Sequence, residues 1–352
     1  MRKALILFSF ILFIKNDVVA QESLGYLVFQ GDTVDISKVG SIVYNVPIQH
    51  TYTLKKLVAY LSSFANNDFE KAFLFYCYIG ETIQYDKPKE KRMFWHRHRL
   101  YRIMYTQEIL SMKRGICGDI SYLFKAMCDE SNIPCEIVKG YAGFSLLGLF
   151  RNKQQPNHAW NIVQIHNKWY PIDATWCTHL YKKKRRHKLH MDYYAYFLSD
   201  TTFFNNSHLP ADPIWQLKKQ PISWSYYKWG FLSSKKHLYS DNYNFNDSIN
   251  KRMKMNPADG FIESACSAFD YNPKNKLIFI NMLFLPTKDC LDIRRKNKRR
   301  LTIDDYYEEQ KLYASLIEYC RNKKKGMYIS MGKYFEKEKE KIDKHIEMSE
   351  KK

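Results

Sequence analysis

The first apolar cluster, Ala4 to Ile14, is interrupted only by Ser9 and follows the basic start Met1-Arg2-Lys3. Residues 21 to 50 then carry short β-type runs, Tyr26 to Phe29 and Ile42 to Tyr44, separated by Gly-Asp and Pro. From Thr53 the period changes. Leu54, Leu57, Val58 and Leu61 fall at i, i+3, i+4 and i+7, which predicts a helix, and a second helix is expected from Asp68 to about Ile83. Lys87 to Arg102 is charged and irregular. Asp119 to Asp129 again reads as a helix, with Ile120, Leu123, Phe124 and Met127 on one stripe. Three predicted strands follow, Glu136 to Tyr141, His158 to Ile165 and Trp169 to Asp173, the last two joined at His166-Asn167-Lys168. A helix leading into successive antiparallel strands predicts an α+β class.

Beyond Trp176 the pattern loosens. Lys182 to Lys188 holds six Lys or Arg and no acid, and residues 203 to 250 are rich in aromatics and Asn. Helical periodicity returns near Ala258, breaks at Tyr271 to Asn275 and at Pro286, and resumes from Ile303 to Arg321 after the basic run Arg294 to Arg300. The last twenty residues alternate Lys and Glu as a solvated helix would. These shifts divide the chain into residues 1–20, an N-terminal extended segment over 21–50, a core over 51–200, an aromatic-rich extension over 201–255 and a helical basic region over 256–352.

Composition narrows the function classes. With 45% hydrophobic and 26% charged residues, 27 Tyr and 22 Phe, the chain is globular rather than disordered or collagen-like. The formal charge of +20 admits nucleic acid, anionic membrane or acidic polymer as partners and does not choose among them. The first twenty residues do. A basic start, an apolar run too short for the ~20 residues of a bilayer span, and Val18-Val19-Ala20 before Gln21 make up the layout of a cleavable signal peptide. The expectation is therefore a secreted or periplasmic protein with no membrane span after cleavage, of mature charge +18 once Arg2, Lys3, Lys15 and Asp17 are lost. Export makes nucleic acid an improper partner for the positive charge. The eight cysteines include no C-x-x-C pair, so a structural zinc site has no support. Cys128 and Cys135 flank a helix-to-strand turn and read equally as a disulfide or as two buried thiols. His179, His187 and His190 sit in a Lys/Arg run, where positive neighbours oppose a metal ion, so neither metal nor cofactor is expected.

Chemistry concentrates between Lys113 and Trp176. Arg114-Gly115-Ile116-Cys117-Gly118-Asp119 stands directly before an amphipathic helix. A thiol in a first helical turn sits near unpaired N–H groups and the positive dipole end, which favours thiolate. If the following hairpin turns at His166-Asn167, Ile165 pairs with Lys168 and Trp160 faces Asp173. His158 is then the diagonal neighbour of Asp173 on one sheet face, within side-chain reach. A one-residue change of loop length would separate them. The spacing lets Asp173 hold the His158 ring while the other ring nitrogen addresses Cys117.

The series Gly115-x-Cys117, Gly140-Tyr141, His158-Ala-Trp-Asn161 and Trp169-Tyr-Pro-Ile-Asp173-Ala-Thr-Trp176 resembles the core of the transglutaminase-like superfamily, over roughly residues 50 to 200. Ile83-Gln-Tyr85-Asp86 is similar to the segment preceding that core, and His208-Leu-Pro-Ala-Asp-Pro-Ile-Trp-Gln-Leu217 to extensions of exported bacterial members. The resemblance implies a papain-like fold and carries over Cys117, His158 and Asp173 as nucleophile, base and orienting carboxylate. Asp173 is followed here by Ala rather than the commoner Pro, and Cys177 follows Trp176. No signature of the calcium sites of animal transglutaminases is present.

The reading is an exported thiol-dependent amide hydrolase acting on protein or peptide, with acidic or cell-envelope material as a substrate class. A second donor for the oxyanion is sought among Gln84, Tyr85 and a nearby Trp, while Trp160 and Trp176 are expected to pack the hairpin. Three alternatives stand beside it. One is a cross-linking acyl transferase. Another is an arylamine acetyltransferase-like enzyme, disfavoured because acetyl-CoA is cytosolic. The third is a non-catalytic scaffold that retains the fold.

Overall fold

The computed structural model describes residues 18–21, 25–90, 106–143, 156–178, 194–229, 236–238, 243–255, 257–272, 303–322 and 326–350. It divides into two compact units, one of residues 1–95, 103–144 and 158–209, the other of 96–102, 145–157 and 210–352. The basic runs at 182–188 and 294–300, His179, His187, His190, Pro286 and residues 1–17 lie outside the described residues.

The first unit begins with an antiparallel three-stranded sheet, β1 (Val18–Gln21), β2 (Tyr26–Phe29) and β3 (Asp32–Asp35). The junction expected for signal cleavage, Ala20 to Gln21, falls inside β1. Next comes α1 (Ile36–Tyr44), which takes in the run Ile42 to Tyr44 expected as extended. Two local facts outweigh its β-branched content. The Asp35 carboxylate caps the helix by accepting from Ser37 and Lys38 N–H, and Val39, Ile42 and Val43 fall on one buried helical stripe.

Helix α2 (Leu54–Ser62) starts at the Thr53 cap and buries Leu57, Val58 and Leu61, the stripe read from the sequence. Helix α3 (Asp68–Thr82) is capped by Asn67 and, after Glu70 and Lys71 in its first turn, is buried all round from Ala72 through Gly80. A helix with no polar face must be enclosed. Accordingly α3 forms the centre of the unit, contacted by α1, α2 and the helix that carries Cys117.

Strand β4 (Gln84–Tyr85) pairs in parallel with β5 (Arg114–Gly115), which follows α4 (Thr106–Met112). Helix α5 (Cys117–Glu130) then packs on a sheet ordered β8-β7-β6-β9. The strands are β6 (Cys135–Ala142), β7 (His158–Ile165), β8 (Lys168–Ile172) and, after α6 (Thr201–Ser207), β9 (His208–Pro210). The β7–β8 hairpin turns on His166 and Asn167, both with φ near the left-handed region (49° and 60°), and pairs Ile165 with Lys168 as the loop length predicts. The N-terminal sheet meets this hairpin: Asp32 pairs with His166 at 2.9 Å, and Gln30 donates to the Tyr170 hydroxyl at 2.7 Å.

The second unit is mostly helical, with α7 (Trp224–Trp229), α8 (Phe245–Met253), α9 (Pro257–Tyr271), α10 (Ile303–Asn322) and α11 (Gly326–Glu350). Its Asp212 carboxylate, almost fully buried, accepts from Arg252, Ser264 and Ser267 and so ties the Asp-Pro-Ile-Trp turn to α8 and α9. Helices α10 and α11 run antiparallel, linked by Tyr307–Glu350, Gln310–Asp343 and Arg321–Glu336. Among the described residues no helix is long and apolar enough to cross a membrane.

Candidate active site

Cys117 is the first residue of α5, and its backbone is held in place before its chemistry begins. The Asp119 carboxylate folds back to accept from Ile116 N–H at 2.9 Å and from the Lys89 ammonium at 2.6 Å, both on Oδ2. Asp119 is buried and so is Lys89. An acid two residues from the thiol would oppose thiolate, and the Lys89 charge offsets it. The segment after β4 grips the same elbow a second time. Asp86 N–H donates to the Gly115 carbonyl at 2.9 Å, and the Asp86 carboxylate caps Lys89 N–H and lies 3.8 Å from Arg114 Nε. One turn along α5, the Ser121 carbonyl accepts from Asn161 Nδ2 at 3.0 Å, which fixes the helix against β7.

Gly115 is required by space. A Cβ there would lie 2.9 Å from Asp119 Cβ, inside van der Waals contact with the residue that organises the elbow. Gly115→Ala is expected to cost about 1–3 kcal/mol in urea unfolding and to slow alkylation of Cys117, because Asp119 must move. Unchanged stability and unchanged thiol reactivity together would sink this account of the elbow.

The histidine and the carboxylate arrive as the hairpin register requires. His158 Nε2 lies 2.7 Å from Asp173 Oδ2, and Cys117 lies close enough to the same imidazole to help raise its pKa. Asp173 follows β8 and caps the helical turn that begins at Ala174, its Oδ1 accepting from Thr175 N–H at 2.8 Å and Trp176 N–H at 3.2 Å. Burial is the strongest influence on His158 and disfavours its charged form. The Asp173 carboxylate and the Cys117 sulfur overcome it, and the imidazolium pKa is pushed up to about 10. Burial likewise opposes the Asp173 anion, but the two imidazoles facing it hold its pKa well below the usual carboxylate range. Cys117, His158 and Asp173 are therefore brought together. Of the seven described cysteines, six are buried and only Cys117 is partly exposed.

Cys128 and Cys135 are free, buried thiols, and burial raises the Cys128 thiol, with Cys135 adding to it. Among the residues considered for an oxyanion donor, Gln84 is exposed. Tyr85 lies close enough to Cys117 to feel its charge, with its hydroxyl donating to Glu90 Oε1 at 3.0 Å. Trp160 is fully buried against Phe204 and His208, while Trp176 is half-buried between Tyr196, His208 and His158.

One residue of the site is not among the site candidates the sequence offers. His208, at the start of β9, places Nε2 3.0 Å from Asp173 Oδ2, the oxygen already engaged by His158. Its only sequence signal is its place at the head of the His-Leu-Pro-Ala-Asp-Pro stretch, 35 residues after Asp173. Gly140 stands opposite His158 on β6 and carries no side chain, so that face stays open between the two histidine rings, whose centroids are 5.6 Å apart. His158, Asp173 and His208 together have the donor types of a metal site. Their separations of 2.7 and 3.0 Å are hydrogen-bond lengths, whereas a tetrahedral ion with bonds of ~2.0 Å holds its ligands about 3.3 Å apart. The trio is a hydrogen-bonded network.

Sequence comparison meets this geometry at the same residues. Residues 55–174 match the profile of the transglutaminase-like superfamily core, a span that takes in Cys117, His158 and Asp173. They form a transglutaminase-like domain.

The chain is 27% identical over 175 residues to the mouse kyphoscoliosis peptidase, covering 48% of this chain and 25% of that protein. Against hillarin of Drosophila melanogaster it is 32% identical over 130 residues, or 32% of this chain and 16% of that one. The chain thus spans a quarter or less of the length of the curated relatives it matches. A solved TGase structure aligns over 70% of this chain and 57% of its own, with TM-score 0.31 and 13% identity. The transglutaminase-like domain contributes the elbow, α5 and the β7–β8 hairpin, while His208 lies beyond the end of the matched span.

Proposed function

We propose that the transglutaminase-like domain is a thiol-dependent amide-bond hydrolase, with Cys117 as nucleophile, His158 as acid and base and Asp173 as the carboxylate that orients it. The observation that carries the reading is the shared imidazole: the part-exposed Cys117 thiol and the buried Asp173 carboxylate engage one His158 ring. An imidazole with Nε2 committed to Asp173 has Nδ1 left for the sulfur, which is the division of labour a thiolate–imidazolium pair needs.

In the proposed cycle the Cys117 sulfur attacks an amide carbonyl and forms the C–S bond. Negative charge moves to the carbonyl oxygen, where the Cys117 N–H at the start of α5 is a donor. As the C–N bond breaks, His158 gives its proton to the departing amine or ammonia. Water then attacks the thioester, His158 takes the water proton, and the carboxylic acid product leaves with Cys117 restored as thiolate. Water is the most abundant acceptor, and the mouse relative is named a peptidase. The same proposal takes the enzyme outside the cytoplasm, on the layout of the first twenty residues, and takes acidic or cell-envelope polypeptide as the substrate class, on the chain's +20 charge.

The deciding measurement is product partition. A glutamine-containing acidic peptide library is incubated with the protein and a labelled primary amine, and products are read by mass spectrometry. Free carboxylate or cleaved peptide is expected to predominate over amine adduct, and both should vanish in Cys117→Ser. Predominant adduct would turn the assignment to a cross-linking transferase. No product of either kind from any peptide would favour the scaffold.

A further inference from the structure

The proposed cycle leaves one electrostatic problem, and His208 answers it. Asp173 is 0% exposed, and burial is the largest influence acting on it, always toward the neutral acid. While His158 is an imidazolium, its charge holds the carboxylate ionised. Once His158 has given its proton to the leaving amine, that charge is gone. Four neutral donors then remain on Asp173: His158 Nε2 and His208 Nε2 on Oδ2, and Thr175 and Trp176 N–H on Oδ1.

His208 is built to be a neutral donor. Its ring is 0% exposed, stacked on Phe204 at 4.1 Å and packed by Trp176 at 4.3 Å and Trp160 at 5.1 Å. Burial depresses its imidazolium, so the ring carries one N–H. An ionised carboxylate only accepts, which puts that N–H on Nε2. Nδ1 is then an acceptor, and the Ser207 hydroxyl lies 2.8 Å from it as the donor. The Asp173 end sets the tautomer, since the Ser207 hydroxyl has the Phe204 carbonyl as a second acceptor at 3.3 Å.

We propose that His208 is a positioning residue of this reaction: its Nε2–H holds Asp173 ionised and aligned through the half of the cycle in which His158 is neutral. The proposal rests on the hydrolase reading for its catalytic consequence, but not for its titration. Removing the His208 donor destabilises the carboxylate most when His158 is neutral. The last proton of the Asp173–His158 pair therefore becomes harder to remove, wherever that proton resides.

Other groups face the pair. Cys117 approaches from α5, Tyr76 from α3 with Cys177 beside it, Tyr85 from β4, and Tyr196 packs on the His208 ring. Burial pushes both the Tyr76 and Tyr85 phenols up, so they stay neutral while the pair titrates.

The experiment compares the full chain with His208→Phe and His208→Gln. Phe keeps an aromatic ring between Phe204 and Trp176 and has no donor. Gln loses the ring and keeps an N–H that can reach Oδ2. His158 is followed by the carbon signal of its Cε1 in histidine-labelled protein, assigned by its loss in His158→Ala. In His208→Phe the His158 titration is expected to move up by about one pH unit, and peptide hydrolysis at pH 7 to fall because His158 yields its proton to the leaving amine less readily. His208→Gln should return both toward the native values. If Phe titrates like the native protein and Gln is the impaired variant, His208 is a packing residue and the proposal is overturned. Should His208→Phe fail to fold, His208→Met is the donor-free variant to read. The titration needs no substrate, so a protein that shows the shift but has no Cys117-dependent hydrolysis would reject the hydrolase reading and keep the His208–Asp173 coupling.

Discussion

Cys117→Ser is expected to lower peptide hydrolysis by about 10⁴-fold or more, the largest effect of any single substitution in this chain. The physical reason is the acidity difference between sulfur and oxygen. A thiol gives up its proton far more readily than a serine hydroxyl, and the Asp173–His158 pair here is placed beside Cys117 to accept that proton. His158→Ala should cost nearly as much, and the double variant little more, since the two act as one unit. Independently of substrate, iodoacetamide at neutral pH should label Cys117 first among the described cysteines, because Cys77, Cys128, Cys135, Cys177, Cys266 and Cys320 are buried. That fast phase should disappear in Cys117→Ser and slow sharply in His158→Ala. If Cys117 reacts no faster than a buried thiol, the nucleophile assignment fails.

Asp173→Asn carries the second large effect, and it falls on both rate and stability. The native carboxylate accepts from two rings and two backbone N–H groups. An amide offers one acceptor oxygen, and its NH₂ must face groups that themselves donate, so at least one buried donor is left unmatched. With the charge gone, burial is no longer overcome at His158 and its imidazolium pKa falls. The expected losses are about 10³–10⁴-fold in turnover at pH 7 and about 3–5 kcal/mol in urea unfolding. The pH profile of stability gives a sharper check. The His158 pKa is raised from 6.5 to about 10, so the stability it contributes is complete below 6.5 and is lost as pH rises through 10. The Asp173 pKa is lowered from 3.8, so its contribution is complete above 3.8 and is lost as pH falls further. The native protein should thus lose stability at both ends, with the buried neutral His208 adding a loss as pH falls below 6.5, and Asp173→Asn should flatten the alkaline decline and remove the Asp173 part of the acid one. A variant that keeps the alkaline decline would show that His158 owes its high pKa to some other group.

The parts of this site that were legible in the sequence are those whose geometry is local. A two-residue turn at His166-Asn167 sets the β7–β8 register, and that register alone puts Asp173 on the sheet face of His158. A glycine-flanked cysteine before an apolar stripe marks a helix start, and Cys117 does open α5. Local reading also had its failure. Ile42-Val43-Tyr44 has strand-like composition, yet the Asp35 cap seven residues upstream and the companion residue Val39 make it the end of α1. Period 2 and period 3.6 are not separable over three residues.

By itself, the sequence determined the α+β order of elements, the helix start under Cys117 and the hairpin that faces His158 with Asp173, because each depends on periodicity, capping or loop length within one stretch of chain. Only the tertiary structure decided which cysteine meets solvent, that Lys89 neutralises Asp119 beneath the elbow, and that His208 reaches the same carboxylate oxygen as His158. Those depend on which strand adds to the edge of β6 and on how deeply each group is buried. Burial is a property of everything packed around a residue, and no window of sequence contains it.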